Sequence, residues 1–327
     1  MTENSTDERC LVAAAQAGDE RAFRELVQPY RSALEVHCYR MLGSLDDAED
    51  LVQETLLRAW NGLERFERRA SVKTWLYRIA TNACLDELER RPRRAEPVQP
   101  FPDDRLGQFA SPVVDPEARY AMREGVELAF LTAIQHLPGR QRAVLILRDV
   151  LGWTAPEAAE LLDSTVAAVN SALQRARATI DAQLPATSRT SAGAGQRELL
   201  ARYVDAWERV DIDGLVALLR EDAVMRMPPQ RMLRGPEAIG RFFREEAAGG
   251  DIGRVAVMPT SANGRPAVAM HVRSADGSSV GHGILVLDID GDAIVAIDAF
   301  IDPSLPRLFG FPEPRAPRLP RARPAPS

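Results

Sequence analysis

Apolar residues recur at steps of three and four along the N-terminal part of the chain. Phe23, Leu26, Val27, Tyr30 and Leu34 form one such set, and Leu51, Val52, Thr55, Leu56, Ala59, Trp60 and Leu63 a second. Val72, Trp75, Leu76, Ile79 and Ala83 form a third. Each set lays an apolar stripe on one helix, so the spacing predicts a helical unit. Asp46, with Glu49 three residues on, predicts a capping box at the start of the second helix. A further helical pair follows near residues 157–180. Beyond residue 196 the period changes. Helices are expected over 196–208, 212–220 and 236–247, a short strand near 224–227, and four strands near 253–259, 266–273, 279–289 and 293–301. Ala-Asn-Gly-Arg and Asp-Gly-Asp stand between the later strands as turn signals.

Two breaks divide this pattern. Residues 92–116 carry Pro92, Pro97, Pro100, Pro102, Pro112 and Pro116 with almost no apolar period, which predicts a segment running extended over the surface. Residues 185–195 are small and polar, as in a flexible joint. The units expected are therefore 8–94, a linker 95–114, 115–184, a linker 185–195, 196–311, and a disordered Pro/Arg-rich tail 312–327. A chain of 327 residues with 45% apolar content suits several compact cores. No apolar run approaches the roughly twenty residues of a membrane span, and the polar, acidic start differs from a secretory signal. Cys10, Cys38 and Cys84 lie far apart without metal-ligand spacing, which suits a reduced, cytoplasmic protein with no metal site and no cofactor.

The net charge of −6 argues against coating nucleic acid by bulk electrostatics, so any DNA contact must be local. One candidate is the pair of helices near 155–180. Thr154 can cap the first, with Pro156 tolerated in its opening turn. The chain then breaks at Asp163-Ser164-Thr165, where Ser164 or Thr165 can cap the next helix. Asp163 stands where such turns often have glycine. Val166, Val169, Leu173, Ala176 and Ile180 share one face of the second helix; Ala167, Asn170, Ser171, Gln174, Arg175 and Arg177 share the other. Small residues allow close approach to a major groove, while Asn, Gln and Arg can pair with base edges. The same pattern also fits two packed helices with a solvated polar face.

The residues around these helices carry a resemblance. Leu137-Pro138-Gly139-Arg140-Gln141-Arg142-Ala143-Val144-Leu145, then Ala158-Ala159-Glu160-Leu161-Leu162 and Leu173-Gln174-Arg175-Ala176-Arg177, resemble region 4 of sigma-70 family factors. Asp46-Asp47-Ala48-Glu49-Asp50-Leu51-Val52-Gln53-Glu54-Thr55 resembles region 2.2, and Phe66 through Asp86 resembles regions 2.3 and 2.4. Regions 2 and 4 alone, in that order, are the pattern of the extracytoplasmic-function group. The resemblance implies binding to core RNA polymerase (β′ and β subunits) and to promoter DNA. It places Asp46, Asp47, Glu49, Asp50, Gln53 and Glu54 against a β′ coiled coil. It places Arg65, Phe66, Arg68, Arg69, Ser71, Lys73, Arg78 and Asn82 at the −10 element, with residues 66–71 receiving a flipped base. Ser164, Thr165, Ala167, Asn170, Ser171, Gln174, Arg175 and Arg177 would meet the −35 element. Cations beside aromatics suit single-stranded DNA, although Trp75 also fits the core spacing.

The element order beyond residue 196 resembles the SnoaL-like cone fold, carried by Tyr203-Val204-Asp205-Ala206-Trp207, Leu218 through Ala223, and Gly235-Pro236-Glu237-Ala238-Ile239. The expected architecture is thus multidomain: two all-α domains, a region 2 bundle and a region 4 helix-turn-helix, followed by an α+β cone-fold domain. Such domains curl a sheet around an apolar pocket, so a small-molecule ligand is one expectation and a regulatory role another. His271, His282 and Asp298 fall on strands. A His/Asp pair could serve acid/base chemistry, which leaves a bifunctional protein with an isomerase- or cyclase-type C-terminal enzyme as the alternative, but polar residues satisfied in the fold are the plainer reading and no enzymatic role is expected. Asp288 through Asp292 reads as a turn rather than a calcium loop.

Overall fold

The computed structural model describes residues 3–67, 70–90, 98–107, 128–183, 194–228, 231–274 and 278–311. The expected tail 312–327 and most of both linkers lie outside the described residues. The chain divides into two compact units, Met1–Ser188 and Arg189–Ser327.

The first unit is helical throughout its described residues: α1 (Glu3–Gln16), α2 (Glu20–Leu42), α3 (Leu45–Gly62), α4 (Val72–Arg90), α5 (Asp103–Gly107), α6 (Leu128–Gln135), α7 (Gly139–Leu145), α8 (Ala155–Leu161) and α9 (Val166–Gln183). The Asp19 side chain caps α2 by accepting from the N–H groups of Arg21 and Ala22 at 2.8 and 3.1 Å. Gly43 ends α2 at φ 77, and a Cβ there would lie 3.2 Å from the Gln135 side chain. Both the left-handed turn and the close approach therefore select glycine. The cap of α3 differs from the expectation. Ser44, not Asp46, accepts from the Asp47 N–H at 3.3 Å, because the helix begins earlier, at the fully buried Leu45. Asp46 and Asp47 instead occupy the first turn, where carboxylates favour the helix dipole.

Leu34, Tyr39, Met41, Leu45, Val52, Ala59, Leu76, Tyr77, Ala80 and Ala83 are buried in the core of α2, α3 and α4, together with Cys38 and Cys84. The linker departs from the extended surface segment expected for it. Val98, Pro100, Phe101 and Pro102 are buried, and the Phe101 ring lies 4.8 Å from that of Tyr39. The Gln99 backbone N–H donates to the Gly43 carbonyl at 2.8 Å, and its side-chain oxygen accepts from the Leu45 N–H at 2.6 Å. Isolated apolar residues among prolines have no period, so the pattern could not reveal this docking.

The second unit contains α10 (Ala194–Glu208), α11 (Ile212–Ala217), β1 (Leu219–Met227), β2 (Arg231–Arg234), α12 (Pro236–Glu245), β3 (Val255–Ala262), β4 (Arg265–Arg273), β5 (Ser279–Asp290), β6 (Ala293–Phe300) and α13 (Leu305–Leu308). The sheet order is β2-β1-β6-β5-β4-β3, with β1 and β6 parallel and every other neighbouring pair antiparallel. Asn263 and Gly264, at φ 55 and 75, form the two-residue turn between β3 and β4. Tyr203 and Trp207 of α10 pack with Phe243 of α12 and with Met225, Met270, Leu285, Leu287 and Ile297 of the sheet. Here α11 ends at Ala217 rather than 220 because the chain enters β1 at Leu219, and β2 was not expected.

Candidate nucleic-acid and partner surfaces

Helices α8 and α9 form the helix-turn-helix. Thr154 and Glu157 close a reciprocal capping box: the Thr154 N–H donates to Glu157 Oε2 at 2.7 Å, and the Glu157 N–H to Thr154 Oγ1 at 3.4 Å. These bonds to Thr154 hold the Glu157 carboxyl below its usual range. Asp163 sits at φ 46, and the Ser164 N–H reaches back to the Ala159 carbonyl at 2.9 Å, a Schellman closure of α8. Of the two expected caps it is Thr165 that serves, its hydroxyl oxygen accepting from the Ala168 N–H at 3.1 Å.

Val169, Leu173, Ala176 and Ile180 are buried, which turns the opposite face of α9 outward. Val166 departs from its expected place on the packed side, being 42% exposed in the helix's first turn. Ala167, Asn170, Ser171, Gln174, Arg175 and Arg177 are all exposed; Ser164 is half-buried. The Arg175 guanidinium donates to Ser171 Oγ at 2.7 Å. Arg177 is held differently, by two bonds to Asp149 at 2.8 and 2.6 Å, so it reaches DNA only by sharing or leaving that carboxylate.

In the preceding bundle, Arg65, Ser71, Lys73 and Arg78 are exposed and Asn82 is half-buried. Ser71 Oγ accepts from the Thr74 N–H at 3.1 Å and so caps α4. Phe66 is buried and stacks on Trp75 at 4.7 Å between ring centroids, so its ring is packed inward rather than standing open to a base. Arg68 and Arg69 lie outside the described residues. Arg78 donates to both oxygens of Asp163, at 3.0 and 3.2 Å, joining the basic segment to the turn of the helix-turn-helix. The Tyr77 and Trp153 rings meet nearby at 5.6 Å. Beneath them the buried Arg142 donates to the Gln135 and Leu137 carbonyls at 2.7 and 3.2 Å and also bonds the Met41 carbonyl. Burial pushes this guanidinium down to about 10. The sequence marked Arg142 only within a motif; no periodicity identifies an arginine that folds inward to carbonyls.

On α3, Asp46, Asp50 and Gln53 are exposed, and Asp47, Glu49 and Glu54 are half-buried. Glu49 and Glu54 are engaged by arginines of the same unit. Glu49, with Glu35, receives Arg105 of α5, and Glu54 receives Arg58, which also reaches Asp86 at 3.2 Å. Leu57, 64% exposed, continues the stripe Asp46, Asp50, Gln53 one turn further. Sequence reasoning passed over it, although Leu57 falls outside the apolar stripe that Leu51, Val52, Thr55 and Ala59 define.

In the second unit the candidate His/Asp pair does not assemble. Asp298 is opposite Val286, which is opposite Ala267, four residues along β4 from His271. That separation is about 13 Å along the strand and two strand spacings across it. Asp298 pairs instead with Arg226 at 2.8 Å. His271 is buried, and burial lowers the pKa of the half-buried His282. Asp288 and Asp290 pair with Arg265 and Arg220 at 3.2 and 2.8 Å, and Gly291 turns the chain at φ 63, consistent with a turn there.

A helical bundle with an acidic helix and a basic-aromatic segment, followed by an outward-facing recognition helix, defines the class of two-part promoter readers. Residues 26–94 match the sigma-70 region 2 family, 127–180 sigma-70 region 4, and 200–297 the SnoaL-like domain. The chain is 41% identical over 321 residues to the ECF RNA polymerase sigma factor SigG of Mycobacterium tuberculosis, covering 91% of this chain and 86% of that one. It is 29% identical to SigW of Bacillus subtilis over 53% of this chain and 94% of that one. The crystal structure of the extracytoplasmic function sigma factor SigJ from Mycobacterium tuberculosis shares the fold at a TM-score of 0.58 and 22% identity, covering 85% of this chain and 96% of that chain. The chain belongs to the extracytoplasmic-function sigma factors and carries a SnoaL-like C-terminal domain. Among the described residues, no helix is long and apolar enough to cross a membrane.

Proposed function

We propose that this chain binds core RNA polymerase through the exposed stripe of α3, reads the −10 element with the basic face of α4 and residues 65–71, and reads the −35 element with α9. The observation that carries this reading is the recognition helix itself. Its apolar side is buried, while Ala167, Asn170, Ser171, Gln174 and Arg175 stand exposed on the other. The acidic stripe suits a basic partner, where complementary charge sets partner choice and association rate. The site of action is the cytoplasm, with the polymerase. The C-terminal domain regulates this activity and is not an enzyme; the separation of His271 from Asp298 supports that assignment.

Asp50→Arg with Glu54→Arg tests the polymerase surface, since both positions lie outside the core. Loss of core binding is expected with the fold intact and only a small fall in melting temperature from the lost Glu54–Arg58 pair; undiminished affinity refutes the assignment. Deleting residues 196–327 tests the regulatory role: promoter-specific transcription or polymerase affinity should change, and identical values would leave the domain without it.

A further inference from the structure

Gln16, the last residue of α1, lies outside every surface described above, yet its side chain ends at the base of the −10 reading segment. Its Nε2 donates to the Leu63 carbonyl at 3.0 Å and to the Phe66 carbonyl at 3.1 Å. A primary amide has two protons, so both are used. The acceptors belong to the single 3-10 turn Leu63–Arg65 and the residue after it, where α3 runs out and carbonyls lose their helical partners. The Leu63 carbonyl also accepts from the Phe66 N–H at 3.0 Å. Gln16 thus fastens both ends of the turn that carries Arg65 and Phe66. The anchor is itself fixed: Val12 and Ala15 of α1 are buried, and Tyr30 of α2 donates to Glu8 at 3.0 Å. On the far side, the Phe66 ring is held against Trp75.

We infer that Gln16 is a positioning residue for −10 recognition, setting through the Leu63 and Phe66 carbonyls the placement of Arg65 and Phe66. The inference rests on the proposed reading that residues 65–71 contact the −10 element. Gln16 touches no DNA; it acts on sequence preference by restricting the turn that carries Arg65 and Phe66. Gln16→Met keeps the volume and removes both donors, and Gln16→Glu keeps the shape while setting a carboxylate against two carbonyls.

The test uses the full chain with core RNA polymerase transcribing a promoter library randomised at both elements. Each Gln16 variant should flatten base preference at the −10 element about fivefold, the loss expected for roughly one net hydrogen bond's worth of restraint. Preference at the −35 element and the melting temperature should stay near wild type. Unchanged −10 preference overturns the inference, as does a parallel fall of both preferences with the melting temperature. Replacing residues 67–70 by Gly-Ser-Gly-Ser separates the two layers. If that replacement abolishes −10 preference while the Gln16 variants keep it, the positioning role fails; if it leaves −10 preference intact, the underlying reading fails instead.

Discussion

His37 shows how far a single residue's chemistry is fixed by its surroundings. Thr81 donates its hydroxyl proton to the Tyr77 carbonyl at 2.7 Å, so at 2.9 Å from His37 Nε2 it can only accept. Nε2 therefore carries a proton, and the ring's neutrality comes from its burial. Burial, reinforced by the Arg40 charge, pulls its pKa from 6.5 down to about 3. The unfolded chain takes up a proton that the folded one refuses, so stability is full above pH 6.5 and falls as the pH drops from there toward 3. At pH 5 the loss is about 2 kcal/mol. His37→Gln keeps a donor for Thr81 and removes the titration. Its melting temperature should fall less than that of the wild type between pH 7 and pH 5; parallel slopes would show that His37 is not the responsible group. The sequence placed a histidine on α2, but the hydroxyl that decides its state comes from α4, 44 residues away.

At the scale of elements, legibility follows how much of an element's reason is local. The helix-turn-helix could be read because Thr154, Glu157, Asp163 and Thr165 act within a few residues of themselves and the apolar stripe of α9 repeats regularly. The strands β3 to β6 were readable as short apolar segments set off by turn signals such as Asn263-Gly264. By contrast β2, only four residues with Met232 exposed, exists because it pairs with β1, and no pattern within it announces that. Phe101 is likewise buried by what Tyr39 offers it. For α9, the exposed Arg175 lies on the same face as Ser171 and Gln174, whereas Arg177 is tied to Asp149. Arg175→Ala should weaken binding to −35 duplex DNA about 5- to 100-fold and relax preference at one base position, the range for a lost base contact. Arg177→Ala should weaken binding less, since Asp149 already holds that charge. Fluorescence anisotropy with matched and mismatched duplexes would measure both, and equal, sequence-independent losses would reassign Arg175 to a phosphate.

On the scale of the first unit, the question is what keeps the proposed −10 and −35 surfaces joined. Arg78 and Asp163 bridge them, but their side chains are 46% and 71% exposed. An exposed ion pair contributes about 0–1 kcal/mol and is screened by salt. The contacts beneath are of another order: Tyr77 against Trp153, Gly139 close to Leu85 and Leu88, and the buried Arg142 bonded to several carbonyls. The packing therefore sets the arrangement, and the ion pair decides only how readily Arg78 is released to a phosphate. Asp163→Gly isolates that contribution, because glycine suits the left-handed turn better than aspartate and so does not loosen the helix-turn-helix. The variant should melt no lower than the wild type. Its affinity for a −10 single-stranded oligonucleotide should rise by at most about fivefold at low salt, corresponding to roughly 1 kcal/mol, with the gain fading as salt increases. A rise of a hundredfold would mean that the ion pair, not the packing, holds the two surfaces together. Arg78→Ala should lower that affinity, and an unchanged value would remove Arg78 from the DNA-contacting set.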